Sequence, residues 1–492
     1  MKELKKNEKI FIFTILGIYI VGAIIKVLFH EPWRDEAQAW LLARDLNIIE
    51  LINNMKYEGH PILWHMLLKI LQLFRLPYVS QMILHAILNI TAVYLILTKI
   101  DCNKFWKFLF IFSDIVAFEY LVISRNYVLV LLLLVIIAIF YKDRFNKPVV
   151  YSCLLVLLAN TTAHILGLVG ALAVLFAFES IVKYRKRETL DKRKLIIIIT
   201  SVIVVLVSAM LVIVLSYNFK QESDAITISI PKNFSQIMVL IIGCIYTYVY
   251  GFTLLTTLSP LLLSIIGGII LLSAIMLFYK QSAIMFIYII ATGFLGIFMS
   301  MMNSIASRHM YIYVLIFAFC FWLRPYYIIQ KSKKIINCQR VSICVLYFCM
   351  ILLVIVNIKS SYSDLTKVFS DSRNTANFIK ENKYEDYIFV TYYSSLAAPI
   401  LPYFEDKSLW SIEDQKEHTY MPWTKEFMTK EVYEPSKIEN IVDSNFNSKS
   451  NLLLILNNNE VISDEYKEKL ELIYETNEEI FTNEKYSIYK YK

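Results

Sequence analysis

The chain reads as an all-α polytopic membrane protein with a C-terminal α/β domain on the extracytoplasmic side. Three observations predict this. First, 57% of its 492 residues are hydrophobic and only 18% are charged, whereas soluble domains are about 45–50% apolar and about 25% charged. Second, apolar runs near the length of a bilayer span, roughly 20 residues, recur from residue 10 to residue 358. Third, at Lys359 the composition turns to that of a soluble domain and the charge changes sign. Residues 359–492 hold 16 Lys and Arg against 24 Asp and Glu, and residues 1–358 hold 33 against 17. A basic membrane part with an acidic tail fits the positive-inside bias when the tail lies outside.

The same composition excludes some classes. The basic residues sit in short loops between apolar runs and form no extended patch, which argues against nucleic-acid binding. Cys102, Cys153, Cys244, Cys320, Cys338, Cys344 and Cys349 form no CxxC pair, and none lies in the tail. That pattern speaks against a disulfide framework or a thiolate metal site.

Taken in order, residues 1–9 are basic and belong on the cytoplasmic face. The run Ile10–Leu28 is too long for a signal peptide and lacks a small-residue cleavage site, so it reads as a retained first helix. Residues 30–60 form the first external loop. Within it, Ala37–Ile52 has the apolar spacing of an interfacial amphipathic helix. Trp33, Trp40 and Trp64 fit an aromatic belt at the interface.

Further runs follow at 61–76, 78–99, 107–123, 128–141, 148–160, 164–182, 195–216, 236–257, 259–279, 283–301, 310–329 and 341–358. If all thirteen cross, the strongly basic loop 183–194 lands outside, against the charge rule. If 61–76 and 236–257 do not fully cross, every basic loop falls inside, including 101–107, 142–147 and 331–334, and the tail falls outside. The expectation is therefore 11–13 spans in a membrane domain 1–358, with an odd number. In the soluble domain 359–492, Ser370–Lys383 reads as a helix capped by Ser370 or Asp371. Tyr387–Tyr393 and Asn451–Leu456 read as buried strands. No catalytic motif is visible there.

Ionisable residues beside a bilayer are costly and are candidates for function by default. Asp35 and Glu36 stand a few residues past the first helix. Tyr57-Glu58-Gly59-His60-Pro61 closes the first loop. Ser124-Arg125-Asn126-Tyr127 lies between two short runs, Ser307-Arg308-His309-Tyr311 opens the 310–329 run, and His164 follows Asn160-Thr161-Thr162. With eleven spans, all of these face the external side. A carboxylate can deprotonate a hydroxyl nucleophile, and arginines can hold a phosphate in bidentate fashion. Each group also has a structural reading: Asp35-Glu36 as N-terminal acids of a helix, Arg125 and Arg308 as snorkelling residues, His60 as a turn residue, and His164 as a helix-end residue.

On these residues the first loop resembles the GT-C superfamily of integral-membrane glycosyltransferases. It is most similar to the branch holding protein O-mannosyltransferases and aminoarabinose transferases. Trp33-Arg34-Asp35-Glu36-Ala37 matches that branch's early Asp-Glu pair, Gly59-His60-Pro61 its His/Pro element, and Ser124-Arg125-Asn126-Tyr127 its Ser-Arg element. Ala163-His164-Ile165-Leu166-Gly167 and Arg308-His309-x-Tyr311 look like later elements, so the resemblance covers roughly residues 10–330. It departs where Ile62 replaces a second proline after Pro61, and where the tail is α/β rather than a β-trefoil insert.

The resemblance implies a polyprenyl-phosphate-linked sugar donor and inverting transfer to an extracytoplasmic glycan, lipid or protein. Asp35 would be the base, supported by Glu36. Arg125, Tyr127, Arg308 and His309 would bind the donor phosphate, and Glu58, His60 and His164 would line the site. No cofactor or metal is expected. A divalent ion, were one used, would draw on Asp35, Glu36 and Glu58. Two other classes are a transporter or flippase for a lipid-linked sugar and a non-catalytic envelope assembly protein.

Overall fold

A computed structural model describes residues 6–187, 190–222, 231–254, 258–302, 306–327, 333–428, 433–457, 461–476, 480 and 482–492. Residues 331–332 of the basic loop 331–334 lie outside this set, as do the ends of the 236–257 and 310–329 runs.

Eight described helices are long and apolar enough to cross a bilayer: Lys6–Phe29, Val79–Lys99, Ala163–Arg185, Lys192–Val214, Phe234–Thr253, Pro260–Phe278, Ser282–Met302 and Ile336–Thr366. The protein is therefore a multi-pass membrane protein by length and composition. The helices show apolar side chains on their outer surfaces, as at Phe13, Met210, Val239 and Phe348. A soluble bundle would bury those residues, whereas lipid solvates them.

The other five runs form shorter pieces. Of the two runs expected to fall short, 236–257 is a full-length helix, while 61–76 holds only Leu63–Leu73. The runs 128–141, 148–160 and 310–329 hold Tyr127–Phe140, Pro148–Ala159 and Ile312–Leu323. The 107–123 run is broken into Lys104–Ile111, a π-helical turn Ile115–Glu119 and Tyr120–Val122. Polar side chains from other helices bond to carbonyls along this break. Tyr19 Oη donates to Val116 O (2.7 Å), Lys26 Nζ to Ala117 O (2.6 Å) and Asn89 Nδ2 to Tyr120 O (2.7 Å). An irregular backbone deep among membrane helices persists when its polar groups find such partners.

The expected single helix over 37–52 is two helices, Arg34–Asp45 and Ile48–Glu58. Asn47 separates them: its Oδ1 caps Ile49 N and Glu50 N, and Glu50 Oε2 accepts from Asn47 N in return. Only the second helix shows apolar residues outward, at Ile48, Ile49 and Ile52. The first is buried from Glu36 to Ala43 between two partners: Gln38 and Leu41 meet the tail domain, while Ala39, Trp40 and Ala43 pack on Trp64, Leu68 and Tyr78. Trp40 and Trp64 are likewise buried and form no belt.

The tail is a six-stranded mixed sheet of β1 Ile388–Tyr392, β2 Leu409–Ser411, β3 Lys416–His418, β4 Leu452–Leu456, β5 Leu470–Glu475 and β6 Ser487–Tyr491. Its order is β3-β2-β1-β4-β6-β5, with β2, β1 and β4 parallel and the rest antiparallel. The two strands read from sequence are the central ones, β1 and β4. The capped helix is Ser372–Glu381, with Asp371 at the N-cap. The Asp371 carboxylate does not cap it; it accepts from Tyr474 Oη (2.8 Å) and from Thr476 Oγ1.

The tail packs directly on the first loop. Leu41, fully buried, sits in the same apolar core as Phe389, Ile400, Leu453 and Ile488. Gln38 and Met421 exchange two hydrogen bonds (2.8 and 3.0 Å). Arg44 Nη1 donates to Phe404 O (2.8 Å), Arg373 Nη2 to His30 O (2.7 Å), and Arg34 N to Glu484 Oε1 (3.0 Å). Loop and tail thus lie on one face of the molecule.

Candidate functional site

The helix Arg34–Asp45 places Asp35 and Glu36 in its first turn, where the unpaired N–H groups favour negative charge. Adjacent positions on a helix point about 100° apart, so the two carboxylates meet different surroundings. Glu36 turns inward and is fully buried. Its Oε1 accepts from Ser124 N (2.6 Å) and its Oε2 from Trp33 N (3.3 Å), while His30 Nε2 lies 3.4 Å from Oε2. His30 Nδ1 reaches Asp364 Oδ1 at 2.9 Å. Burial opposes a charged imidazole at His30, but the bonds to Asp364 and Glu36 outweigh it and raise its pKa to about 9. Glu36 therefore ties the start of the helix to the 124 segment.

Asp35 turns the other way and keeps 27% of its side chain exposed. Its Oδ2 is shared by Arg308 Nη2 (2.8 Å) and Arg125 Nη1 (3.0 Å). Arg125 Nη1 also donates to the Asp35 carbonyl (2.9 Å). Burial would raise the proton affinity of this carboxylate, but Arg125, Arg308 and Arg34 together hold it below the usual range. Arg308 is fixed from behind: its guanidinium lies 5.5 Å from the Trp33 ring centre, and Tyr120 Oη donates to its carbonyl (2.7 Å). Arg308 Nε has no hydrogen-bond partner among the described residues.

Rings line the site beside this ion cluster. Tyr127 stacks on Tyr120 (5.6 Å) and lies 5.6 Å from His309, which stacks on His164 (4.4 Å); His60 meets Tyr127 edge-on (6.4 Å). Thr162 Oγ1 and His164 Nδ1 are 2.7 Å apart, which fixes that ring. His60 Nδ1, His164 Nε2 and His309 Nδ1 are buried without a hydrogen-bond partner among the described residues. Three such atoms in one cluster of rings are costly unless a polar ligand or water meets them. Burial, then the nearby Arg125, hold His60 well below its ordinary pKa, so it is neutral. Glu58 accepts from Gln38 Nε2 (2.9 Å), and burial raises its pKa to about 7.

The structure thus brings Asp35, Arg125, Arg308, Tyr127, His309, His164 and His60 together from five separate stretches of chain. It sets Glu36 behind the helix start, and Glu58 beside Gln38 at the tail junction. Among the described residues, no three His, Cys, Asp or Glu side chains are placed to hold a metal ion.

Sequence reasoning passed over Asp114 and Glu119. Both lie on the broken 104–122 segment, and Ser307 Oγ donates to Glu119 Oε2 (3.1 Å). Two carboxylates inside the 107–123 apolar run were the available signal, since such groups are rare in a span. Trp33, assigned only to a belt, lines a cavity with Glu119 and Arg308.

Comparison with protein-family profiles, with curated proteins and with solved structures finds no match to this chain. The likeness to membrane glycosyltransferases rests on the motif residues above.

Proposed function

We propose that the chain is a membrane glycosyltransferase of the GT-C type, moving a sugar from a polyprenyl-phosphate donor to an extracytoplasmic acceptor. The observation that carries this reading is the Asp35 carboxylate held between Arg125 and Arg308 beside a ring cluster whose His60, His164 and His309 nitrogens have no hydrogen-bond partner among the described residues. Each guanidinium has five N–H donors in a fork, and Asp35 engages only part of each. The donor phosphate takes the free edges. Its charge offsets the arginines and restores basicity to Asp35. The acceptor hydroxyl oxygen then bonds to the anomeric carbon, and the bond from that carbon to the phosphate oxygen breaks. The electron pair leaves with polyprenyl phosphate, and the hydroxyl proton passes to Asp35. Attack opposite the leaving group inverts the anomeric centre.

The acidic tail, packed on the same face as the site, and the net basic charge of the membrane part support an external site, with the N-terminus cytoplasmic. The test is a transfer assay with purified protein, a polyprenyl-phosphate sugar and envelope lipids or glycans. Release of polyprenyl phosphate by wild type and not by Asp35→Asn is expected. Equal release from both moves the base elsewhere; no release across several donors turns the reading toward a transporter or an assembly protein.

A further inference from the structure

A cavity of about 670 Å³ lies next to Arg308, between the broken membrane segment and the tail domain. Trp33, Glu119, Tyr250, Arg308, Ser363 and Asn483 line it. Arg308 is the side chain it shares with the Asp35 cluster. Its size falls within the range of about 300–1,000 Å³ typical of small-molecule sites, more than a single sugar ring fills.

The chemistry of the wall is mixed in a particular way. Glu119 is half-buried and ends the π-helical turn, a distortion frequent at functional sites. Trp33 Nε1 and Arg308 Nε are buried donors with no hydrogen-bond partner among the described residues. Donors and acceptors therefore share the wall with the aromatic side chains of Trp33, Phe118, Tyr250 and Phe369. An acyl chain would leave these polar groups unpaired, at a cost. Sugar hydroxyls each donate and accept, and the apolar face of a sugar ring suits an aromatic face.

We infer that this cavity binds the non-reacting part of a carbohydrate acceptor, with Glu119 accepting a hydrogen bond from one of its hydroxyls and the tail domain supplying one wall. The inference rests on the transferase reading for the word acceptor, but the binding site itself does not. The bound saccharide lies against Arg308, and its reacting hydroxyl projects past that side chain to Asp35. Selection of the acceptor then falls partly to the tail, through Asn483.

The experiment is a titration of full-length protein, in a detergent without a sugar headgroup, with maltose, cellobiose and chitobiose, read by tryptophan fluorescence and checked by calorimetry. At least one disaccharide is expected to bind wild type. Glu119→Gln should weaken it about tenfold, as loss of one charge-assisted hydrogen bond does, and Ser363→Trp, which fills the cavity, should abolish it. Glu119→Gln is near-isosteric, so it keeps the test valid should the larger substitution unfold the protein. Binding of none of the three by wild type, or equal binding by wild type and Glu119→Gln, overturns the inference. No donor is present, so the titration can fail while the transfer assay succeeds, and the reverse. In the transfer assay, Glu119→Gln should raise the acceptor KM and leave the donor KM unchanged; a rise in the donor KM alone would assign the cavity to the donor and also overturn the inference.

Discussion

Asp35→Asn separates two roles that a single activity measurement would merge. The substitution keeps the shape of the side chain and one acceptor oxygen, but removes the charge that Arg125 and Arg308 share at 3.0 and 2.8 Å. As the base, Asp35 contributes a rate factor of about 10²–10⁴, so turnover should fall by that much. As a resident anion it competes with phosphate for the same two guanidiniums. Hydrogen bonds to charged groups contribute about 1.5–3 kcal/mol each. Asp35 is 27% exposed, and its arginines keep free edges for phosphate, so only part of that is in competition. A net gain of about 1–2 kcal/mol, or about 5–30-fold, in affinity for polyprenyl phosphate is expected. The assay pairs radiolabelled polyprenyl phosphate binding in detergent with release of that product under turnover. A variant that turns over slowly yet binds the product more tightly supports both roles. A variant that loses affinity would show that Asp35 positions the arginines for phosphate rather than competing with it, and would refute the argument.

Other expectations follow from individual contacts. Arg125→Lys keeps the charge but loses the planar fork, so the donor KM should rise about tenfold or more with the thermal midpoint unchanged; an unchanged donor KM removes Arg125 from the phosphate site. Leu41→Ala empties a fully buried position in the tail core and should cost about 2–5 kcal/mol, seen as faster proteolysis of the tail in detergent; wild-type cleavage rates would contradict the docking. His30 carries a pKa raised to about 9 by Asp364 and Glu36, so its contribution to stability is present below about 6.5 and lost as pH rises through 9. Thermal stability should decline over that window, and His30→Ala, which strands two buried carboxylates, should cost about 3–5 kcal/mol; a flat pH profile in wild type would count against it. Cysteines placed at Glu50 and Glu471 should react with an impermeant thiol reagent from the same side of sealed vesicles, and labelling from opposite sides would contradict the shared face.

Much of this protein was legible in its amino-acid order. Runs of apolar residues near bilayer length mark membrane helices because lipid cannot hydrogen-bond a bare backbone. The change of composition at Lys359 marks a soluble domain, and the continuous apolar stretches around β1 and β4 mark strands buried on both faces. Asp35, Arg125 and Arg308 stood out because charge beside a bilayer is expensive. Local pattern reports such costs residue by residue.

Tertiary structure decided what each costly residue does, since partners come from distant parts of the chain. Asp35 and Glu36 are neighbours with identical chemistry in sequence. The turn of one helix sends Asp35 to two arginines 90 and 273 residues away and sends Glu36 to the backbone at Ser124. The same holds for Leu41 and Gln38, whose amphipathic spacing fits a membrane interface equally well until the tail domain covers them. The broken 104–122 segment reads as one more span because apolar composition does not record a π-helical turn, and only the packing of Tyr19, Lys26 and Asn89 against its carbonyls makes that turn affordable. Composition sets where a group must find compensation. The long-range packing sets which partner supplies it.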